Sequence, residues 1–178
     1  MVDKAAEGAE GVPFVMDIER GKIHEFARAT GSDNASYFTG DNPPSPPTFL
    51  TTQFFWEDLV AGSNPWDKVN MSQERGMHAE QEYKFFGPPP KAGTRLNCQS
   101  RIEKIYEKEG RRGGTLTFAI MVTEFRDTDG NLVAEARLTG VETAKPPEEG
   151  ALPEVLPAPE PDEDDGQVAE MGGEDPPR

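Results

Sequence analysis

The chain has 178 residues, with 33 acidic against 18 basic side chains and a formal net charge of −15. That length suits one domain with extensions, and that charge argues against a nucleic-acid partner, whose phosphates need a basic face. No stretch is apolar for long enough to span a membrane as a helix. A lone cysteine, Cys98, leaves no partner for an internal disulfide and favours a reducing, cytosolic setting.

The charge is uneven. Residues 144–178 hold eleven acids against Lys145 and Arg178, with eight prolines and no aromatic residue. Such a segment buries too little apolar surface to offset its ordering entropy and reads as a disordered acidic tail. Residues 1–11, MVDKAAEGAEG, lack the blocks of a secretion signal and read as a disordered lead. The expected domain is therefore 12–143.

Within it, VPFVM is a short apolar lead-in. DIERGKIHEFARATG follows, with Ile18, Ile23, Phe26 and Ala27 at helical spacing. Asp17 or Glu19 can begin this amphipathic helix and Gly31 ends it, with His24 on its exposed side. SDNASYFTGDNPPSPP is a loop. Prolines 43, 44, 46 and 47 keep its end extended, because each fixes its own φ and pushes its predecessor out of the helical region.

The stretch from Thr48 to Gly62 carries Phe49, Leu50, Phe54, Phe55, Trp56, Leu59 and Val60, interrupted only by Glu57 and Asp58 near its end. A helix apolar nearly all round belongs in an interior. We expect a buried helix of about 14 residues, too short to cross a membrane. After a second loop, four strand-like segments follow: 77–86, 94–108 with a phase change near Ser100 that suggests a bulge, 115–126 and 131–143. GPPPKAG, EGRRGG and DTDG separate them. An antiparallel sheet wrapped round one apolar helix is the economical packing, an α+β hot-dog architecture.

The ordered set IERGKIHEFARATGSDNASYF, PPTFL, HAEQEYKFFGPPPKAGTRL, IYEKEGRRGGTLTF and TEFRDTDGNLVAEARLT resembles the N-terminal MaoC-type, or FAS1-like, dehydratase domain family. That family includes non-catalytic subunits of 3-hydroxyacyl-thioester dehydratases. The resemblance implies a hot-dog fold, an acyl thioester of CoA or acyl carrier protein as substrate, no cofactor, and assembly as a homodimer or with a dyad-bearing MaoC-like subunit. It points to the cytoplasm. It also implies substrate contacts from Asn34, Pro47, Thr48, Phe49 and Phe54.

Catalytic members of the family carry a G-D-x-N-P-x-H loop, whose Asp and His flank the water that adds to or leaves the enoyl thioester. Here the loop reads Gly31-Ser32-Asp33-Asn34-Ala35-Ser36-Tyr37. Ser32 and Tyr37 stand at the dyad positions. Neither replaces a carboxylate–imidazole pair at neutral pH. The expected role is thus a substrate-holding subunit of an (R)-specific enoyl-CoA hydratase or 3-hydroxyacyl dehydratase in fatty-acyl or steroid side-chain metabolism. A self-sufficient hydratase or acyl-CoA thioesterase and a non-enzymatic acyl-binding scaffold stay open.

Three other residues are weak catalytic candidates. Asp33 beside Asn34 fits an Asx turn as well as a hydratase loop. His78 shares a strand face with Glu80 and Glu82, and equally fits a solvated strand histidine. Glu57 could act as a thioesterase base, or simply face water at an exposed helix end. Nothing resembles a metal site.

Overall fold

The structure is a computed structural model that describes residues 1–110 and 114–145. The acidic segment from 146 onward, and Arg111 and Arg112 at the hairpin tip, lie outside the described residues.

Five strands form one antiparallel sheet: β1 (Phe14–Asp17), β2 (Gly76–Phe85), β3 (Arg95–Glu109), β4 (Thr115–Arg126) and β5 (Leu132–Glu142), in spatial order β1-β3-β4-β5-β2. The long strands fall where apolar alternation puts them. β3, β4 and β5 meander through short turns, pairing Ser100 with Thr123 and Thr123 with Ala136. The phase change expected near Ser100 is a register shift between Ile102 and Lys104. VPFVM is more than a lead-in, because its last three residues begin the edge strand β1 on β3. GPPPKAG is not a hairpin, since β2 lies beyond β5 and the chain must cross back to reach β3. Its prolines are held by the first proline run: Ser45 N–H donates to Pro90 O at 2.8 Å and Ala92 N–H to Pro43 O at 2.9 Å.

One face of the sheet is covered. Leu96 and Cys98 of β3, Phe125 of β4 and Ala134 and Ala136 of β5 pack with Phe14, Met16, Phe49 and Leu50 into the main core. The alanines leave room for the covering segment. Helix α1 (Arg20–Ala29) buries Ile23 and Ala27 against it, and Gly31 ends the helix at φ +67°, a conformation glycine adopts without strain. His24 is not on a fully exposed side: it is half-buried, 5.9 Å from the Phe38 ring.

The covering segment is the hot-dog helix, but it is shorter than expected. A 3-10 turn over Phe49–Gln53 runs into one α-turn, α2 (Phe54–Glu57). Thr52 explains part of this, because its hydroxyl donates to Phe49 O at 2.8 Å and competes with α-helical pairing. Nor is the segment buried all round, since Phe55 and Leu59 face outward at 64% and 80% exposure.

Residues 1–11 are not a loose lead. Val2 and Ala6 are buried in a second cluster with Val69, Ile102, Ala119 and Met121. Backbone bonds fasten this strap, Gly8 N–H to Ile102 O at 2.9 Å and Gly11 N–H to Ser100 O at 2.8 Å. Composition misses it because only two apolar side chains are buried and the backbone holds the rest.

Candidate functional site

The loop that family resemblance singles out is a capped turn. Asn34 Oδ1 accepts from Ser36 N–H at 3.1 Å and from the Ser36 hydroxyl at 2.8 Å. This is Asx chemistry that orders the loop locally. Ser32 N–H donates to Ala27 O at 2.8 Å, closing the end of α1. Asp33 is exposed, and Tyr37 rests half-buried against the main core. Pro47 and Thr48 are exposed. Phe49 is sealed from solvent and meets Phe26 edge-on at 5.5 Å, so it serves the core. Phe54, another of the expected substrate contacts, lines a cavity.

That cavity, of about 300 Å³, opens between α2, the 62–76 loop and the far end of the sheet. Phe54, Trp66, Met71, Met121 and Leu138 supply its apolar walls and His78 stands at its rim. Its size matches small-ligand sites, which are mostly apolar with few polar groups. The loop forming its outer wall is built firmly. Asn64 Oδ1 caps a 3-10 turn by accepting from Trp66 N–H at 2.9 Å. This sets the Trp66 ring over Gly140, where a β-carbon would come within 2.7 Å of the ring. Further along, Glu142 is 4% exposed and accepts from Ser72 N–H and from Arg75 Nη2, each at 2.8 Å. A buried carboxylate thus pins the loop to β5.

His78 is exposed, and its Nε2 lies 3.0 Å from Glu80 O. No carboxylate side chain pairs with it among the described residues.

Behind Phe54 lies a small inner chamber of about 10 Å³, sharing Phe54, Met121 and Leu138 with the larger cavity. Gln53, Thr123, Gln81 and Tyr83 add polar groups to its lining. From here a buried ladder runs under the helix. Gln53 Nε2 donates to Thr123 Oγ1 at 3.0 Å, the Thr123 and Ser100 hydroxyls are 2.9 Å apart, and the Ser100 hydroxyl donates to Glu57 Oε1 at 3.0 Å.

Glu57 therefore sits at no exposed helix end; it is wholly buried. The helical turn from Gln53 places both side chains four residues apart on one face, over β3 and β4. Burial pushes the Glu57 carboxyl above the ordinary glutamate range, the Ser100 hydrogen bond opposes this, and Asp58 adds to it. Glu57 Oε2 and Gln53 Oε1 have no hydrogen-bond partner among the described residues. Cys98 is pushed up to about 12, chiefly by burial, and is chemically quiet.

Sequence reading missed Gln53, Ser100, Thr123, Trp66 and Met71. The available signal was a polar residue at core-facing strand positions: Ser100 between Cys98 and Ile102, and Thr123 between Met121 and Phe125.

The model of the FAS1-like dehydratase domain region matches residues 5–136. No curated protein matches the chain. Among solved structures it is similar to a C-terminally truncated HadBC (3R-hydroxyacyl-ACP dehydratase) complex from Mycobacterium tuberculosis, at 23% identity and a TM-score of 0.59, covering 76% of this chain and 96% of that one. It is also similar to the ChsH1-ChsH2 complex from Mycobacterium tuberculosis, at 15% identity and a TM-score of 0.60, covering 81% and 89%. A MaoC-like dehydratase from Phytophthora capsici gives 15% identity and a TM-score of 0.54 over 80% of this chain and 48% of that one. At these identities the likeness carries the fold.

Proposed function

The chain belongs to the FAS1-like dehydratase domain family, and on that footing we propose that it is the acyl-holding subunit of an (R)-specific enoyl-thioester hydratase or 3-hydroxyacyl dehydratase. Its acyl group enters the cavity beside Phe54, Trp66 and Met121. A hot-dog partner with an intact G-D-x-N-P-x-H loop supplies the proton-transfer pair.

One observation carries the reading: a ligand-sized apolar cavity coexists with a loop whose dyad positions hold Ser32 and Tyr37. Hydration needs a group that takes a proton from water and one that returns a proton to the α-carbon. An exposed turn of Ser32, Asp33 and Asn34 offers no matched pair. HadBC and ChsH1-ChsH2 are complexes, which supports pairing with a second subunit here. The acyl group, fatty or steroid side chain, comes as a thioester of CoA or carrier protein. The reaction uses water alone, with no cofactor, in the cytoplasm.

A second reading rests on Glu57. A buried carboxylate on the hot-dog helix with one unpartnered oxygen suits a hydrolytic base. It needs a path for the thioester to Glu57, and neither cavity is lined by that residue.

The test uses Trp66 as reporter. In a Trp56→Phe variant Trp66 is the sole tryptophan emitter, because the chain has two tryptophans. Titration with decanoyl-CoA should change its emission saturably, while free CoA leaves it unchanged. Leu138→Trp, which fills the cavity, should weaken decanoyl-CoA binding at least tenfold by calorimetry. Equal responses to decanoyl-CoA and free CoA would remove the acyl cavity from the account.

A further inference from the structure

We propose that Trp66 and Met71 form the end-stop of the acyl cavity, so that the ligand's aliphatic chain is measured against the Trp66 indole. The inference rests on the acyl-binding reading above and narrows its ligand to a single aliphatic chain of limited length.

The case begins behind the cavity wall. Trp66, Met71 and Met121 line the cavity. All three also pack into the second apolar cluster, around Val69, Ile102 and Ala119. They are therefore a partition between a space open to a ligand and a core that is already filled.

The partition is held in place along the chain and across it. Asn64 caps the turn over Pro65–Val69 through Trp66 N–H, and Val69 is buried at the turn's end. Asn70 then takes φ +51°, a left-handed conformation that asparagine tolerates. The chain reverses there, and Met71 meets the same point of β5 as Trp66. A β-carbon on Gly140 would come within 2.7 Å of Trp66 Cζ2, 2.8 Å of Cη2 and 3.1 Å of Met71 Cε. Indole and methyl thus rest on bare backbone, as closely as an interior packs. Just beyond them Glu142 accepts from Ser72 N–H and Arg75 Nη2, which keeps the loop from swinging outward to admit more chain.

Size favours one chain. At about 300 Å³ the cavity lies at the lower limit of small-ligand sites. Each methylene buried against Phe54, Met71 and Met121 adds about fourfold in affinity. That gain ends where the chain meets the indole, because the next methylene must displace a side chain backed by the core or stay in water.

The partition can be moved in either direction. Trp66→Leu removes most of the stop and opens the cavity toward the second cluster. Gly140 itself lines the cavity, so Gly140→Ala adds a methyl to the lining and pushes the indole off the strand, which shortens the space.

The experiment is calorimetric titration of the full chain with saturated acyl-CoAs from hexanoyl to hexadecanoyl. Affinity should rise about fourfold per methylene and then level off at one chain length. Trp66→Leu should move that plateau to chains about two carbons longer. Gly140→Ala should move it about two carbons the other way. Neither should change the slope below the plateau. Met71→Ala, which opens the same partition, serves if W66L does not fold. A purely structural Trp66 would instead lower affinity for every chain alike and leave the plateau where it was. That result, or affinity climbing through the whole series in the wild type, would overturn this inference alone and leave the acyl cavity standing. Failure of every acyl-CoA to bind would overturn the acyl-binding reading and this inference with it.

Discussion

The Ser100 hydroxyl of β3 donates to Glu57 Oε1 of α2 at 3.0 Å, across an interface otherwise closed to water. The bond joins the covering helix to the middle of the sheet through two polar residues in a mostly apolar layer. Its counterpart, Glu57 Oε2, has no partner among the described residues. The helix is therefore held in register at the cost of a desolvated carboxyl, and that cost depends on pH.

Glu57 titrates in the folded state above its ordinary value of 4.5, first because of burial. A raised carboxyl binds its proton more tightly when folded. Its contribution to stability is fully present below the unfolded pKa and is lost as pH rises through the folded pKa. Glu57→Gln removes this dependence while keeping an acceptor for Ser100. Thermal melts should show E57Q gaining on the parent as pH rises from 4 to 8, with little difference at pH 4. A constant offset across that range would mean that Glu57 carries no pH-dependent cost.

Phe49 and Phe54 should separate under substitution. Phe49 is fully buried, so Phe49→Ala should cost about 3–5 kcal/mol in urea unfolding. Phe54 is only half-buried and borders two cavities, so Phe54→Ala should cost clearly less, about 1–2 kcal/mol. Equal costs would contradict the placement of Phe54 at the cavity wall.

Glu142 should act on stability and on the cavity together. Glu142→Ala strands Arg75 and frees Ser72 N–H, both on the loop that walls the cavity. The loss should be about 3 kcal/mol, at the low end for breaking a buried pair because Arg75 is partly hydrated. Amide exchange should rise across residues 70–76 and stay unchanged in β3. Uniform acceleration throughout the sheet would contradict a local clamp.

Much of the fold was legible because strand alternation is local. The register of β4, with Met121, Thr123 and Phe125 on the covered face, follows from side chains two residues apart. The length of the hot-dog helix was not legible, since the Thr52 hydroxyl competes for Phe49 O, an effect that an apolar count ignores. Strand order was hidden as well. Nothing in GPPPKAG says that β2 pairs with β5, because that pairing joins residues as distant in the chain as Gly76 and Glu142. The site was the least legible part. Ser100 and Thr123 lie on two strands far along the chain from Gln53 and Glu57, and each of the four looks like a solvated polar residue until the fold buries it.

The central claim is that this chain supplies the acyl pocket without the proton-transfer pair. Its most direct test is the hydration of trans-2-decenoyl-CoA, followed by loss of the conjugated thioester absorbance, using the pure chain and the chain mixed with a hot-dog subunit carrying an intact G-D-x-N-P-x-H loop. The account predicts no turnover above the uncatalysed rate for the chain alone. In the mixture it predicts hydration that falls at least tenfold when Leu138→Trp fills the cavity. Rapid hydration by the pure wild-type chain would contradict it, and would turn attention to Asp33, His78 and Glu57.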